Sequence, residues 1–213
     1  MTLAEIKRLV RYGENLHVEF KRKAAHPEKV IKEVVAFANT EGGSLLVGVD
    51  DDGNIPGLKY ADEEQYVLDK ALKELCKPHV QYDLEVIPVD HKRSVLHYTI
   101  KPSRKKPHYA LESCGQKYGK AYFRVADKSI QASWELKEIL KRSRRNNPPT
   151  LSIGEKEKAV LQALGDESKT LTDLVTLTGI GKRVISAILI SFVVTNVLRI
   201  IPQEGGDLYI LKG

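Results

Sequence analysis

Glu14, Glu19 and Asp50 are the side chains whose type and spacing could do chemistry in this sequence. Glu19 falls in the alternating stretch Leu16-His17-Val18-Glu19-Phe20-Lys21. Val18 and Phe20 there bury one face, so Glu19 and Lys21 are expected on the polar face of a strand. Glu14 precedes that strand, and Asp50 ends the apolar run 44–49. If the two strands are neighbours, three carboxylates converge at one edge of a sheet. Hard oxygen ligands of this kind suit Mg²⁺ or Mn²⁺. Such an ion activates water and stabilises charge on a phosphodiester, and Lys21 could hold a phosphate. The plainer reading stays open: a solvated or salt-bridged strand face, with Asp50-Asp51-Asp52-Gly53 as a turn.

Cations form the second group. Lys21-Arg22-Lys23, Arg104-Lys105-Lys106, Arg124 and the run Lys141-Arg142-Ser143-Arg144-Arg145 are the candidate nucleic-acid contacts. The segment 101–109 places three consecutive basic residues between prolines with Tyr109 behind them, an extended loop able to follow a phosphate backbone. The six histidines are scattered and none is paired at metal-ligand spacing. Gly179-Ile180-Gly181-Lys182-Arg183 lacks the upstream glycine and the Ser/Thr of a Walker motif. Gly42-Gly43 follows a helix and precedes a strand, the wrong order for a phosphate loop, and reads as a helix end.

The elements that must position these residues are legible in the apolar spacing. Leu3 to Arg11 reads as an amphipathic helix, and Pro27 opens a second one. Residues 44–49 read as a buried strand, 63–77 as a helix, and 80–89 and 94–100 as paired strands. Tyr122-Phe123-Arg124 lies in a further strand, and Trp134 to Arg142 is read as a helix closing the first domain. Asn146-Asn147-Pro148-Pro149 then marks a boundary, because Pro-Pro cannot continue a helix. The expected domains are 1–147 and 150–213. The second reads as three helices and a hairpin across Glu204-Gly205-Gly206, a winged-helix-like plan.

Composition narrows the class. The chain of 213 residues is 42% hydrophobic, enough for a packed core, and carries a net charge of +6. Residues 1–149 hold 27 basic and 21 acidic side chains, and residues 150–213 hold seven of each. The whole excess is thereby assigned to the first part, which suits an anionic partner. Two isolated cysteines argue against a disulfide framework or a Cys-rich zinc site. The charged first residues do not suit a secretory signal, and no apolar run reaches membrane length. A cytoplasmic protein with no membrane partner is expected.

The ordered series of pieces carries a resemblance. Glu14 is followed by Glu19-Phe20-Lys21, then by Ala36-Phe37-Ala38-Asn39-Thr40-Glu41-Gly42-Gly43, Gly48-Val49-Asp50-Asp51, and Tyr122-Phe123-Arg124. This series resembles the Schlafen/Alba-type domain family, whose members are described as DNA-binding. The resemblance implies an α+β fold, a mixed sheet with packed helices, over about residues 10–135. It also implies a nucleic-acid ligand. In Schlafen proteins with endoribonuclease activity, the matching positions are the catalytic, metal-binding carboxylates, which here are Glu14, Glu19 and Asp50. Vertebrate relatives join two such lobes into a cationic cradle, so a single lobe implies a homodimer.

Three functions follow. The first is DNA or RNA binding, within a DNA-binding, transcriptional-regulator-like protein. The second is a metal-dependent endoribonuclease using Glu14, Glu19 and Asp50. The third is a dimeric assembly module for a protein partner. The third helix of the second domain, residues 182–197, is apolar nearly all round. A helix of that kind is buried on two sides, so dimerisation or docking competes there with groove reading. Only Lys182, Arg183 and Arg199 suit phosphates.

Overall fold

The computed structural model describes residues 1–144 and 151–212. It divides into two compact units, Met1–Ile130 and Gln131–Gly213.

The first unit opens with α1 (Leu3–Arg11). Thr2 caps it: Thr2 Oγ1 accepts from the Glu5 N–H at 3.3 Å, and Glu5 returns a bond to the Thr2 N–H at 2.7 Å. There follow β1 (Val18–Lys21), α2 (Pro27–Asn39), β2 (Gly43–Val47), α3 (Ala61–Leu75), β3 (Cys76–Lys77), β4 (Tyr82–Pro88), β5 (Ser94–Ile100), β6 (Tyr109–Ala110), β7 (Tyr122–Val125) and β8 (Lys128–Gln131). The main sheet has the order β1-β2-β5-β4. β1 runs parallel to β2, and the other neighbours are antiparallel. The architecture is α+β with a mixed sheet and packed helices, as expected.

Both faces of this sheet are covered. Val18, Phe20 and Leu46 pack with Ile6 of α1 on one side. Leu45, Val47, Leu96, Tyr98 and Ile100 pack with α2 and α3 on the other. The pairing Glu19↔Leu45 and Lys21↔Val47 puts Glu19 and Lys21 on the second side. The expectation of a polar, solvated face for Glu19 is therefore corrected: Glu19 is only 4% exposed. A strand paired in parallel is commonly buried on both faces, and alternation in a four-residue strand does not reveal a helix packed above its polar side.

Two glycines fix the turn from α2 into β2. Gly42 has φ +81°, and an added Cβ would stand 2.6 Å from Ile100 O. Gly43 lies against the Phe37 ring, where a Cβ would come within 2.4 Å. The Gly42 N–H closes the helix on Phe37 O at 2.9 Å. The pair thus ends a helix, as its order in the sequence indicates.

The second unit contains α4 (Trp134–Arg142), α5 (Glu155–Leu164), β9 (Lys169–Thr170), α6 (Leu171–Thr178), α7 (Lys182–Val194), β10 (Leu198–Ile201) and β11 (Leu208–Leu211). β10, β11 and β9 form a three-stranded antiparallel sheet. Ile185, Leu189 and Phe192 of α7 meet Val160, Leu164, Leu174 and Tyr209 in its core.

The division falls at Ile130/Gln131 and not near residue 147, because α4 packs on α7. Glu135 of α4 accepts from Ser186 Oγ of α7 at 2.6 Å, and Ser133 Oγ donates to Asp207 Oδ2 at 2.5 Å. Contiguity with β8 in sequence does not decide where a helix packs. Two expectations change with it. The charge is not confined to the first unit: Met1–Ile130 holds 22 basic and 19 acidic side chains, and Gln131–Gly213 holds 12 and 9, +3 each. The apolar surplus of α7, one of the grounds for expecting a homodimer, is met within the chain by α4. Among the described residues no helix is long and apolar enough to cross a membrane.

Candidate nucleic-acid interface and the Glu19–Arg124 network

β1 is an edge strand, and edges leave backbone groups unpaired. Toward β2 the ladder is regular: the Ser44 N–H donates to His17 O and the Gly48 N–H to Lys21 O, each at 2.7 Å. On the outer side, Val18 and Phe20 offer two N–H and two C=O groups, and side chains or the preceding loop meet all four. Glu14 Oε1 accepts from the Phe20 N–H at 2.8 Å. Lys21 Nζ donates to Phe20 O at 2.8 Å. Asn15 and Val18 exchange backbone bonds at 3.1 and 3.4 Å. Arg124 Nη2 donates to Val18 O at 3.2 Å and to Asn15 O at 3.0 Å.

Arg124, carried in by β7, is 1% exposed. Its guanidinium lies 5.0 Å from the centre of the Phe37 ring and pairs with Glu19 Oε2 at 2.7 Å and Glu33 Oε2 at 2.9 Å. Glu19 also contacts Lys21 Nζ. A buried guanidinium is tolerable only with this many acceptors and counter-charges. Burial pushes the Glu33 carboxyl above the usual carboxylate range, with Glu19 repulsion adding and Ser129 and Arg124 opposing. Glu14 is pushed up as well, first by burial, with the Phe20 N–H opposing and Glu19 adding.

The sequence-predicted site residues are thus only partly brought together. Glu14 and Glu19 flank the same strand edge, but each is occupied by the bonds just described. Asp50 lies past the end of β2, where Oδ1 is 3.4 Å from Arg22 Nε and makes no hydrogen bond among the described residues. Among the described residues, no group of three His, Cys, Asp or Glu side chains is arranged to hold a metal ion. The three carboxylates, as placed, do not fit Mg²⁺ or Mn²⁺.

The candidate cations of the first unit do not form one surface. Arg124 is inside the protein, so its expected contact with nucleic acid is corrected: a side chain with no exposed area cannot reach a phosphate. Lys21 is turned to Glu19 and Phe20 O. Arg22 and Lys23 are exposed beyond Lys21, which pairs with Val47. The loop 101–106 follows Ile100, which pairs with Gly43. These two sets therefore leave opposite ends of a strand roughly 13 Å long. Lys141, Arg142 and Arg144 belong to the second unit, and Lys141 pairs with Glu138 at 2.7 Å. Arg145 lies outside the described residues.

The basic loop is the best defined of these surfaces. The Ser103 N–H donates to Ala38 O at 3.2 Å, the Lys105 N–H to Ser103 Oγ at 3.0 Å, and Lys106 Nζ to Thr40 O. Burial lowers the Lys106 pKa, with Glu41 opposing, and the bond to Thr40 O makes Lys106 an anchor of the loop. Arg104 and Lys105 stay exposed between the anchors.

Of the residues that hold the network, Glu33 was not singled out from sequence, and Asn39 and Thr40 stand there only as part of the family series. Glu33 follows Lys32 on α2 beside the apolar positions Val34 and Phe37. Asn39, fully buried, donates to His108 O and Tyr122 O at 3.0 and 2.8 Å and accepts from the His108 N–H at 2.7 Å. Thr40 Oγ1 accepts from the Arg124 N–H at 2.9 Å. The available signal was Asn39 itself, a polar residue closing the apolar run 34–38.

A family model described as Schlafen, AlbA_2 matches residues 14–133, a span that includes Glu14, Glu19, Glu33, Asn39 and Arg124. Among solved structures, the N-terminal domain of a RecG-related protein from Nitrosomonas europaea is similar, with TM-score 0.45 and 23% identity over 62% of this chain and 94% of that one. The DIP2311 protein from Corynebacterium diphtheriae is similar with TM-score 0.41 and 18% identity, over 73% of this chain and 26% of that one. The family match covers more than half of the sequence, from the edge-strand glutamate through the buried arginine, and on that ground the chain belongs to the Schlafen, AlbA_2 family.

Proposed function

We propose that the protein binds nucleic acid, with the loop 101–106 of the first unit as a contact to the phosphate backbone. The observation that carries this is the pinned loop. Its ends are tied to Ala38 O and Thr40 O, and Arg104 and Lys105 project from it into solvent. Cations held in place lose less freedom on meeting a phosphate than cations on a mobile loop. Family membership supports the ligand class. We further infer a DNA-binding, transcriptional-regulator-like role. The element order α5-β9-α6-α7-β10-β11, with β9 joining the hairpin sheet, supports a winged-helix-like second unit. The occupied carboxylates Glu14 and Glu19 give no support to metal-dependent cleavage.

The test is fluorescence anisotropy of a labelled duplex and a labelled single strand against the full chain over a salt series. Substituting Arg104→Gln together with Lys105→Gln removes two charges. The slope of log K against log salt is then expected to shrink by about 1.8 on duplex DNA or about 1.4 on a single strand. Unchanged affinity and slope would place the phosphate path elsewhere.

A further inference from the structure

The second unit has a recess of about 510 Å³ lined by Trp134, Glu135, Lys182, Arg183 and Ser186. An exposed aromatic ring, two cations and a carboxylate line it together. Trp134 is the only tryptophan of the chain and is 56% exposed. It sits in the first turn of α4, whose apolar side chains Leu136 and Ile139 are buried. A large ring left in water on an anchored helix is a flat apolar platform. Lys182 and Arg183, in the first turn of α7, are exposed and form no ion pair with a described residue. Glu135 accepts from Ser186 Oγ, which fixes its carboxylate at the same recess.

We propose that this recess takes one unpaired nucleotide of a single-stranded nucleic acid. The base stacks on Trp134, and the adjoining phosphates meet Lys182 and Arg183. Glu135 accepts from the exocyclic amine of cytosine or adenine. An aromatic face beside two unpaired cations is complementary to a base with its backbone, and a base inside a duplex cannot present its face to the ring. The proposal rests on the nucleic-acid reading above, but it concerns different residues in the other unit. It also gives the +3 of that unit a use. Lys182 and Arg183 are legible in the sequence as phosphate contacts, but their aromatic neighbour is not, because Trp134 lies before the Asn146-Asn147-Pro148-Pro149 boundary, in the expected first domain.

The sole tryptophan makes the test direct. The whole 213-residue chain is titrated with oligo-dC and oligo-dT single strands of about 12 nucleotides, a length within the site sizes of such surfaces. A duplex and inorganic phosphate are titrated in parallel. Trp134 emission and the anisotropy of labelled strands are both followed. The expected result is quenching by single strands well beyond that by duplex, tighter binding of oligo-dC than oligo-dT, and no quenching by phosphate. Trp134→Ala is expected to weaken single-strand binding about tenfold, while Trp134→Phe, which keeps a ring, retains most of it. Lys182→Gln with Arg183→Gln is expected to lower the single-strand salt slope by about 1.4. Binding seen by anisotropy with unchanged Trp134 emission overturns the proposal and leaves the loop 101–106 standing. Absence of any binding overturns both. Quenching by phosphate alone, or quenching indifferent to the Lys182 and Arg183 substitutions, overturns the stacked geometry. Equal affinity for the two homopolymers overturns the Glu135 contact.

Discussion

Replacing Glu19 by Gln tests whether this glutamate is chiefly a counter-charge for buried cations. The substitution keeps shape and removes one charge. In the native protein Glu19 is 4% exposed and pairs with an Arg124 that is 1% exposed. Removing one partner of a buried pair costs about 3–5 kcal/mol, because the other charge stays behind without compensation. Glu33 still faces Arg124 at 2.9 Å, and Lys21 can turn to solvent. The expected loss is therefore at the lower end, about 3 kcal/mol. For a unit of about 130 residues the unfolding entropy near Tm is about 0.27 kcal/mol/K, so Tm should fall by about 10 °C. Differential scanning calorimetry reads it. Tryptophan fluorescence does not suffice, since Trp134 belongs to the second unit and the network to the first. A Glu19→Gln protein melting within about 2 °C of wild type would refute the reasoning. If that stable variant also lost an RNA cleavage activity present in wild type, the glutamate would return to a catalytic role.

The remaining predictions use the same network. The folded protein favours the protonated form of Glu14, so the resulting stabilisation is full below the ordinary value of 4.5 and is lost as pH rises through the folded value. Glu14→Gln, uncharged throughout and still able to accept from the Phe20 N–H, should therefore be the more stable protein at neutral pH. It should lose that advantage as the pH falls toward 4.5. Urea midpoints of both proteins across this range check it, and a pH-independent difference contradicts it. Asn39→Ala strips three hydrogen bonds, two of them buried, from the joint between α2, β7 and the segment before β6. At about 1–3 kcal/mol for each group left unsatisfied, a loss of about 3 kcal/mol or more is expected in denaturant unfolding. A change under about 1 kcal/mol would mean that water replaces the amide.

The family motif acquires a physical account from these bonds. Glu14, Lys21 and Arg124 each end on an outward backbone group of β1, and Glu19 balances the two cations. The set both blocks the edge strand against another chain and ties β7 to it. Spacing made the residues conspicuous but did not distinguish ligands for a metal from partners for an arginine. That distinction needed Arg124, which is 105 residues beyond Glu19 in sequence and arrives on another strand.

Local order determined most of the secondary structure. Capping at Thr2, the proline opening α2, the glycines closing it and the alternation in β1 are properties of neighbouring residues, and the elements formed where those signals stand. The α+β class and the family were legible for the same reason, since the motif pieces sit in local contexts. Tertiary structure alone decided three matters. It buried Glu19 and Arg124, because the second sheet face is covered by α2, which amphipathic periodicity does not assign to a partner. It split the cations between two ends of the sheet, because strand direction sets where each loop emerges. It moved α4 onto α7, taking Trp134 and a share of the charge into the second unit, because packing depends on which apolar faces fit and not on which elements follow one another in the chain.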